Sequence, residues 1–195
     1  MTILAFITAY LLGALPISLL IAKLNNLPDP RSYGSGNIGA TNIGRQSKLL
    51  GVVVFLCDAC KVYVALAFSH YLMISENYLP WIWAITIIGQ TRSIFLNFTG
   101  GKGVSCYMAG MYLLMPSWFM VIIVIFSLSY IITRQICLAS ISFFLTILML
   151  SATLHMPNPL LNMILVSWII YLHSNNMIQF YNHFNESRKQ TVAGE

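Results

Sequence analysis

The sequence predicts an all-α polytopic membrane protein, and its composition carries that prediction. Of its 195 residues, 58% are hydrophobic and only 8% are charged, whereas a soluble domain has about 25% charged residues. So few charges cannot cover a surface that faces water. The chain is therefore expected to form one integral-membrane domain, residues 1–195, built as a bundle of transmembrane helices.

Seven apolar segments are candidates for transmembrane helices. They cover residues 2–22, 49–70, 81–95, 104–115, 118–133, 136–154 and 160–172. About 20 apolar residues cross a bilayer, so the short fourth segment is expected to be tilted or partly re-entrant. Gly13 and Pro16 interrupt the first segment, which membrane helices tolerate when neighbours satisfy the freed backbone groups. No basic stretch precedes this segment, which favours a first span over a cleaved signal peptide.

The basic residues outside the spans predict the orientation. They lie between segments one and two, around residues 92–102, at Arg134 and in the C-terminal tail, while the connections at 75–80, 116–117 and 155–159 contain no Lys or Arg. With seven spans, all these positive charges lie on one face, which the positive-inside rule assigns to the cytoplasm. The N-terminus is then outside and the C-terminus cytoplasmic. Ten spread basic residues provide no basic face for nucleic acid.

A glycine-rich loop, Tyr33-Gly-Ser-Gly-Asn-Ile-Gly-Ala-Thr-Asn-Ile-Gly-Arg45, lies on that face between two apolar segments. Glycines permit positive φ and close approach of a ligand to backbone N–H groups, and successive N–H groups in tight turns form anion sites. Arg45 adds a guanidinium suited to phosphate oxygens. The loop is therefore predicted to bind a phosphate at the membrane surface.

Two nucleotide motifs resemble parts of this chain and are rejected. Residues 34–39 match G-x-G-x-x-G, but that fingerprint needs a preceding strand within a βαβ unit, and here a membrane segment precedes it. Residues 100–103, Gly-Gly-Lys-Gly, lack the first glycine and the Ser or Thr of a P-loop. Lys102 alone would be interpreted as a snorkelling anchor; its neighbours Gly100, Gly101 and Gly103 favour a ligand contact.

Two further pairs of polar residues stand three apart. Asp58 and Lys61 share one face of segment two, and ionisable residues inside a span are either paired or functional; a packing ion pair and a functional role are equally supported. His173 and Asn176 follow segment seven on the cytoplasmic side, where a histidine is either a cap or an acid–base group. Cys57 and Cys60 form a C-x-x-C, interpreted as buried small side chains rather than a metal or redox site.

The two glycine clusters resemble the bacterial acyl-phosphate:glycerol-3-phosphate acyltransferases, the PlsY-type enzymes. The resemblance rests on Gly34 to Asn42 with Arg45, on Gly100-Gly-Lys-Gly-Val104, on Tyr10 to Pro16, and on the D-x-x-K of Asp58 to Lys61. The chain departs from that family at Gln90, where a His is usual, at Arg92-Ser93 in place of Phe-Pro, at Thr99, where a Lys is common, and at Leu172 in place of an Arg.

The resemblance implies an enzyme of phospholipid biosynthesis in the bacterial inner membrane, with its active site facing the cytoplasm. It would move an acyl group from acyl phosphate to the 1-hydroxyl of glycerol 3-phosphate, without metal or cofactor, and is expected to act as a monomer among membrane lipids. The acyl phosphate would be bound by Ser35, Gly36, Asn37, Gly39, Thr41 and Asn42. Glycerol 3-phosphate would be bound by Arg45, Lys102, His173 and Asn176.

Lys102 and His173 are the candidate catalytic residues, with Asp58, Lys61, Gly100, Gly101 and Gly103 in supporting roles. The proton of the attacking hydroxyl would be taken by His173 or by a substrate phosphate, whose second pKa is about 6. A small anion transporter or a non-catalytic phospholipid-binding protein is the alternative. It is less favoured because the chain shows no internal repeat and both glycine clusters lie at one face rather than at the membrane midplane.

Overall fold

The computed structural model of the protein describes residues 1–153 and 156–174, except the side chain of Cys137. Within these ranges the chain is helical and contains no β-strand. The α-helices are α1 (Thr2–Ala14), α2 (Ile17–Leu24), α3 (Ala40–Ile43), α4 (Lys48–Tyr71), α5 (Leu79–Thr91), α6 (Val104–Leu114), α7 (Pro116–Thr133), α8 (Ile136–Thr153) and α9 (Pro159–Ser174). The predicted all-helical class is confirmed.

Three stretches among the described residues are long and apolar enough to cross a membrane. They are Thr2–Leu24, which comprises α1 and α2, Lys48–Tyr71 and Pro116–Thr133. The apolar stretches Val104–Leu114, Leu138–Thr153 and Pro159–Ser174 are shorter. Helix α7 has one fully buried residue, Ile122. Trp118, Phe119, Ile123 and Phe126 pack partly against the core, and the exposed apolar side chains of the other face are those expected of a helix that faces lipid.

The first apolar segment is broken between α1 and α2, at Leu15 and Pro16. Proline has no N–H and cannot continue the backbone ladder, so carbonyl groups near the break need other donors. The Lys61 ammonium donates to the carbonyls of Gly13 (3.3 Å) and Leu15 (2.6 Å), and the Ser93 hydroxyl donates to the carbonyl of Ala14 (2.5 Å). Side chains from α4 and from the end of α5 therefore stabilise the break.

Helices α1 and α5 pack closely because two glycines lie at their contact. A methyl group on Gly13 would collide with the Thr86 carbonyl, and one on Gly89 would collide with the Tyr10 carbonyl. The predicted third segment was expected to reach residue 95, but α5 ends at Thr91. The chain then turns through a 3₁₀ segment, Ile94–Leu96.

The short helix α6 begins partway along α4 rather than at its end. The Cys106 thiol, near the start of α6, donates to the Asp58 carbonyl at 3.2 Å. Asp58 lies ten residues after Lys48, about 15 Å along the helix axis. The loop between α5 and α6 thus reaches α4 well inside its length, and this explains why the fourth predicted segment is short.

An aromatic core joins the second half of the bundle to α5. The Trp83 and Tyr107 ring centroids are 4.9 Å apart, and those of Tyr107 and Phe144 are 5.4 Å apart. Gly110 leaves room for the Trp83 indole, because any side chain there would collide with it. The Tyr107 hydroxyl donates to Asn162 of α9 at 2.9 Å. These contacts connect α5, α6, α8 and α9.

Candidate functional site

The Asn42 side chain holds the first glycine loop together. Asn42 is buried, and its amide nitrogen donates to the carbonyls of Pro30 (2.7 Å) and Tyr33 (3.1 Å). Its amide oxygen accepts from the Ser35 N–H at 3.1 Å. An amide has two donor hydrogens, and both are engaged inside the loop. The Asn42 side chain therefore supports the loop, and binding of the acyl phosphate by Asn42 stays a prediction.

Positive backbone φ angles shape this loop at Gly34 and Gly36, with values of 59° and 65°. At Gly34 there is no space for a side chain, since a methyl group would collide with Asn42 Oδ1 and would lie 2.5 Å from Arg45 Nη1. At Gly36 the nearest atom, the Arg31 carbonyl oxygen, would be 3.6 Å away. The Arg45 guanidinium is thus packed against the backbone of Gly34, at the edge of the loop.

Three successive N–H groups of the loop, those of Asn37, Ile38 and Gly39, make no hydrogen bond within the described part of the chain. By contrast, the Ser35 N–H is bound by Asn42 and the Gly36 N–H donates to the Tyr33 carbonyl at 3.0 Å. The available donors are therefore concentrated just before α3. Such a run of N–H groups is the geometry that anions bind.

Arg31 lies near the same loop but is engaged elsewhere. Its guanidinium contacts both oxygens of Asp29, the shorter distance being 2.6 Å. Side-chain and backbone hydrogen bonds from Arg31 hold the pKa of the Asp29 carboxyl below its usual range. The pair is exposed to water and therefore adds little stability. Arg45, not Arg31, is the arginine placed against the glycines.

The second glycine cluster packs against the end of α5. The Gly101 N–H donates to the Gln90 carbonyl at 2.9 Å, and a methyl group on Gly100 would collide with that carbonyl. Gly103 has a φ of 79° and lies against Ile87 and Thr91. Lys102 is half-buried between these glycines. The close packing requires glycine on both sides of the lysine.

His173 is buried near the end of α9 and lies close enough to Lys102 for the two side chains to interact electrostatically. Its Nδ1 lies 2.8 Å from the Ile169 carbonyl oxygen. A carbonyl can only accept, so Nδ1 carries the hydrogen and Nε2 of the neutral ring has a free lone pair. The structure therefore brings together two of the predicted residues from distant parts of the sequence. Asn176, Glu186, Arg188 and Lys189 lie outside the described residues.

Helix α9 also contacts the segment that replaces the usual Phe-Pro pair. The Arg92 guanidinium carbon lies 5.0 Å from the centroid of the Trp168 ring, a cation–π arrangement. The Trp168 indole donates to the Thr91 hydroxyl at 3.1 Å. Arg92 thus fixes α9 beside the second glycine cluster.

Asp58 and Lys61 form the predicted ion pair, with Lys61 Nζ 2.8 Å from Asp58 Oδ1 and both side chains buried. Sequence reasoning did not include the third member of this group. Gln90 of α5 accepts from Lys61 at 2.5 Å and donates to Asp58 Oδ2 at 2.9 Å. The one signal in the sequence that could have identified Gln90 was that it is a polar residue inside the apolar segment 81–95. The three residues are called the buried triad below.

The candidate metal and redox groups have no support in the described residues. These contain no group of three His, Cys, Asp or Glu side chains that could hold a metal ion. Cys57 and Cys60 are both free thiols. Cys60 is exposed, so the prediction that both are buried small side chains is wrong for Cys60. The C-x-x-C spacing therefore forms no disulfide in this structure.

The fold and this site define a class: an α-helical membrane protein with two glycine loops suited to anionic ligands. The family model for glycerol-3-phosphate acyltransferase matches residues 3–183. A glycerol-3-phosphate acyltransferase of Sulfurimonas denitrificans is 33% identical over 185 residues, covering 90% of this chain and 91% of that protein. One of Ehrlichia canis is 28% identical over 174 residues, covering 89% and 91%.

A solved structure supports the same conclusion in three dimensions. The crystal structure of PlsY, described as an integral membrane glycerol 3-phosphate acyltransferase in its glycerol 3-phosphate form, matches with a TM-score of 0.82 and 29% identity, covering 93% of this chain and 92% of that one. The lysophosphatidic acid form matches with a TM-score of 0.79 and 28% identity over the same shares. The chain belongs to the glycerol-3-phosphate acyltransferase family, and the resemblance seen in the sequence is confirmed.

Proposed function

We propose that this protein transfers an acyl group from acyl phosphate to the 1-hydroxyl of glycerol 3-phosphate, releasing lysophosphatidate and phosphate. The observation that carries the proposal is the first glycine loop. The N–H groups of Asn37, Ile38 and Gly39 make no hydrogen bond among the described residues, and Arg45 packs against Gly34. The glycerol 3-phosphate and lysophosphatidic acid forms of the related PlsY structure support the acceptor and the product. An acyl-phosphate donor is proposed because the loop offers backbone N–H groups suited to an anion.

The phosphate of the donor is proposed to lie against the N–H groups of Asn37 and Gly39, with the hydroxyls of Ser35 and Thr41 as further donors. Gly36 shapes the turn through its positive φ. Asn42 is assigned a supporting role, because its two amide hydrogens are used inside the loop. Preorganised donors of this kind stabilise the charge that grows on a leaving phosphate.

Glycerol 3-phosphate is proposed to bind Arg45, Lys102 and His173, with Asn176 as a fourth contact. Two cations and a histidine suit a phosphate that carries nearly two negative charges at neutral pH. Gly100, Gly101 and Gly103 let the Lys102 backbone approach α5 closely. A monomer is proposed as the working unit.

The acyl chain is proposed to lie in an apolar groove of about 400 Å³ between α4 and α6. Its walls include Phe55, Ala59 and Tyr63 on α4 and Met108 and Tyr112 on α6. Ala59 is next to Asp58, so the groove passes the depth at which Cys106 of α6 meets α4. The acyl chain of a membrane substrate could enter this groove sideways from the bilayer and remain in apolar surroundings.

In the proposed reaction the 1-hydroxyl oxygen attacks the acyl carbonyl carbon, and the bond between that carbon and the phosphate oxygen breaks. Phosphate leaves with the bonding electron pair, and the hydroxyl proton goes to a base. Holding the two reactants in line can lower the activation free energy by roughly 7–11 kcal/mol in ideal cases. The base is proposed to be His173 Nε2 or a substrate phosphate, whose second pKa is about 6.

His173→Ala is expected to lower kcat by about ten- to a hundredfold without abolishing it, because general-base catalysis contributes on the order of 10²–10⁴ and a substrate phosphate would still accept the proton. Steady-state phosphate release by the purified variant measures this. His70→Ala is the control. His70 lies in the last turn of α4, at the end away from the first glycine loop, so the kcat of this variant should match that of the unmodified protein. Complete loss of turnover with unchanged substrate binding would exclude a substrate base.

Gly34→Ala is expected to reduce turnover about tenfold more than Gly36→Ala. Both residues have positive φ, so both substitutions carry a similar backbone cost of about 1–2 kcal/mol. Only at Gly34 does the added methyl displace Asn42 and Arg45, and small displacements at a reacting site cost up to about a hundredfold. Parallel kinetic assays of the two variants measure the difference. Equal losses would show that backbone strain alone matters.

The predicted topology forms part of the proposal: seven spans, the N-terminus outside, and both glycine clusters at the cytoplasmic face of the bacterial inner membrane. The positive-inside rule supports it. A membrane-impermeant maleimide applied to intact cells is expected to label Glu76→Cys, and to label Gln46→Cys only after permeabilisation. The reverse pattern would invert the orientation. Uptake of phosphate into vesicles without turnover would favour the transporter alternative.

A further inference from the structure

Gln90 occupies a position that links the buried triad to the second glycine cluster. The three side chains of the triad are 3–7% exposed. Lys61 has three donor hydrogens. Its nearest acceptors are Asp58, Gln90 and the Leu15 carbonyl at 2.8, 2.5 and 2.6 Å, and the Gly13 carbonyl is more distant at 3.3 Å. A buried ion pair is stable only when its remaining polar atoms are satisfied. Gln90 satisfies both partners because an amide both donates and accepts.

The backbone of Gln90 makes a second set of contacts, with the glycines. It lies in the last turn of α5, where carbonyl groups have no partner within the helix, and the Gly101 N–H donates to its carbonyl. The second glycine cluster also packs against the Gln90 side chain, since a methyl group on Gly101 would be 3.1 Å from Gln90 Nε2. Any shift of Gln90 is therefore transmitted to residues 100–103.

We propose that Gln90 is a positioning residue for acyl transfer. By binding Asp58 and Lys61, its side chain fixes the end of α5, and through Gly101 this fixes the backbone of Lys102. The ammonium of Lys102 is thereby held where the phosphate of glycerol 3-phosphate binds. This inference rests on the proposed function, and it assigns to Gln90 an effect on the acceptor site alone. The first glycine loop is held by its own contacts, through Asn42, and is not affected.

The separation of the two loops gives the proposal a kinetic signature. Gln90→Met preserves the length of the side chain and the backbone bond to Gly101, but removes both amide contacts. The KM for glycerol 3-phosphate is expected to rise about tenfold, because losing a hydrogen bond to a charged group weakens an equilibrium by about tenfold or more. The KM for acyl phosphate should change less than about twofold. Gln90→His again offers a donor and an acceptor, and should recover most of the acceptor affinity.

Thr86→Val is the matched control, one turn earlier on α5. It removes a buried hydroxyl that donates to the Ile82 carbonyl and touches neither the triad nor the glycines, so both KM values should stay unchanged. If Gln90→Met does not fold, Gly101→Ala is the second variant. It keeps all three triad side chains, crowds Gln90 Nε2, and should produce the same rise in the KM for glycerol 3-phosphate alone.

An equal rise in both KM values, or no rise in either, overturns the positioning role of Gln90. The unmodified protein is assayed alongside, because absence of turnover from acyl phosphate there means that the proposed donor is wrong. Glycerol 3-phosphate binding is then measured directly by calorimetry on the purified protein. Gln90→Met should still weaken it about tenfold, and unchanged binding contradicts the inference.

Discussion

Lys102→Ala is expected to reduce acyl transfer by at least about a hundredfold. Lys102 supplies a half-buried positive charge between three closely packed glycines, and His173 lies within its electrostatic reach. Removing one preorganised group that stabilises developing charge costs about 10²–10³ in rate. Purified variant and unmodified protein are compared by phosphate release at several glycerol 3-phosphate concentrations.

The control for this prediction is Lys48→Ala. Lys48 is a basic residue on the same predicted face, but it is exposed at the start of α4, and its removal should change the rate less than about twofold. Lys102→Arg keeps the charge and should retain part of the activity, because the bulkier guanidinium fits poorly between glycines. A Lys102→Ala protein within threefold of the unmodified rate would remove Lys102 from the site.

Asp58→Asn is expected to give the largest loss of stability among single substitutions in the polar interior. It leaves the Lys61 ammonium buried without its counter-charge, and breaking a buried pair in this way costs about 3–5 kcal/mol. For a chain of this size that corresponds to a fall in Tm of roughly 6–20 °C. Thermal unfolding of the purified protein in one detergent measures it.

The chain provides its own comparison, because its other aspartate is exposed. Asp29→Asn breaks the pair with Arg31 at the surface, where such pairs are worth about 0–1 kcal/mol, so its Tm should hardly move. The double variant Asp58→Asn/Lys61→Met removes both buried charges and should regain much of the loss. Equal Tm shifts for the two single variants would mean that the triad is not a buried ionic group.

Much of the fold follows from local patterns. Apolar length predicted α4 and α7 to within two residues, since a helix in lipid must satisfy its own backbone. The sequence marked the break at Pro16 through the proline itself. It did not predict the side chains that bind the free carbonyl groups there, because Lys61 and Ser93 come from distant segments. The sequence predicted that α6 is short. It could not predict the reason, because the start of α6 at the depth of Asp58 is seen only in the packing of α6 against α4.

The candidate site, too, could be predicted only in part from the sequence. The glycines and Lys102 are contiguous motifs, and the pairing of Asp58 with Lys61 follows from helical spacing. Gln90 joins that pair across 29 positions, and no sequence period relates residues so far apart. Asn42 was grouped with the phosphate ligands because its residue type suits them. Only the positions of the Pro30 and Tyr33 carbonyls assign its amide to the loop.

The most direct test of the central claim is a donor comparison with the purified protein in detergent or proteoliposomes. With long-chain acyl phosphate and glycerol 3-phosphate, the account predicts equal amounts of phosphate and lysophosphatidate, and neither product when glycerol 3-phosphate is omitted. An acyl thioester of coenzyme A should yield no product. Lysophosphatidate formed from the thioester, with no phosphate release from acyl phosphate, would contradict the account.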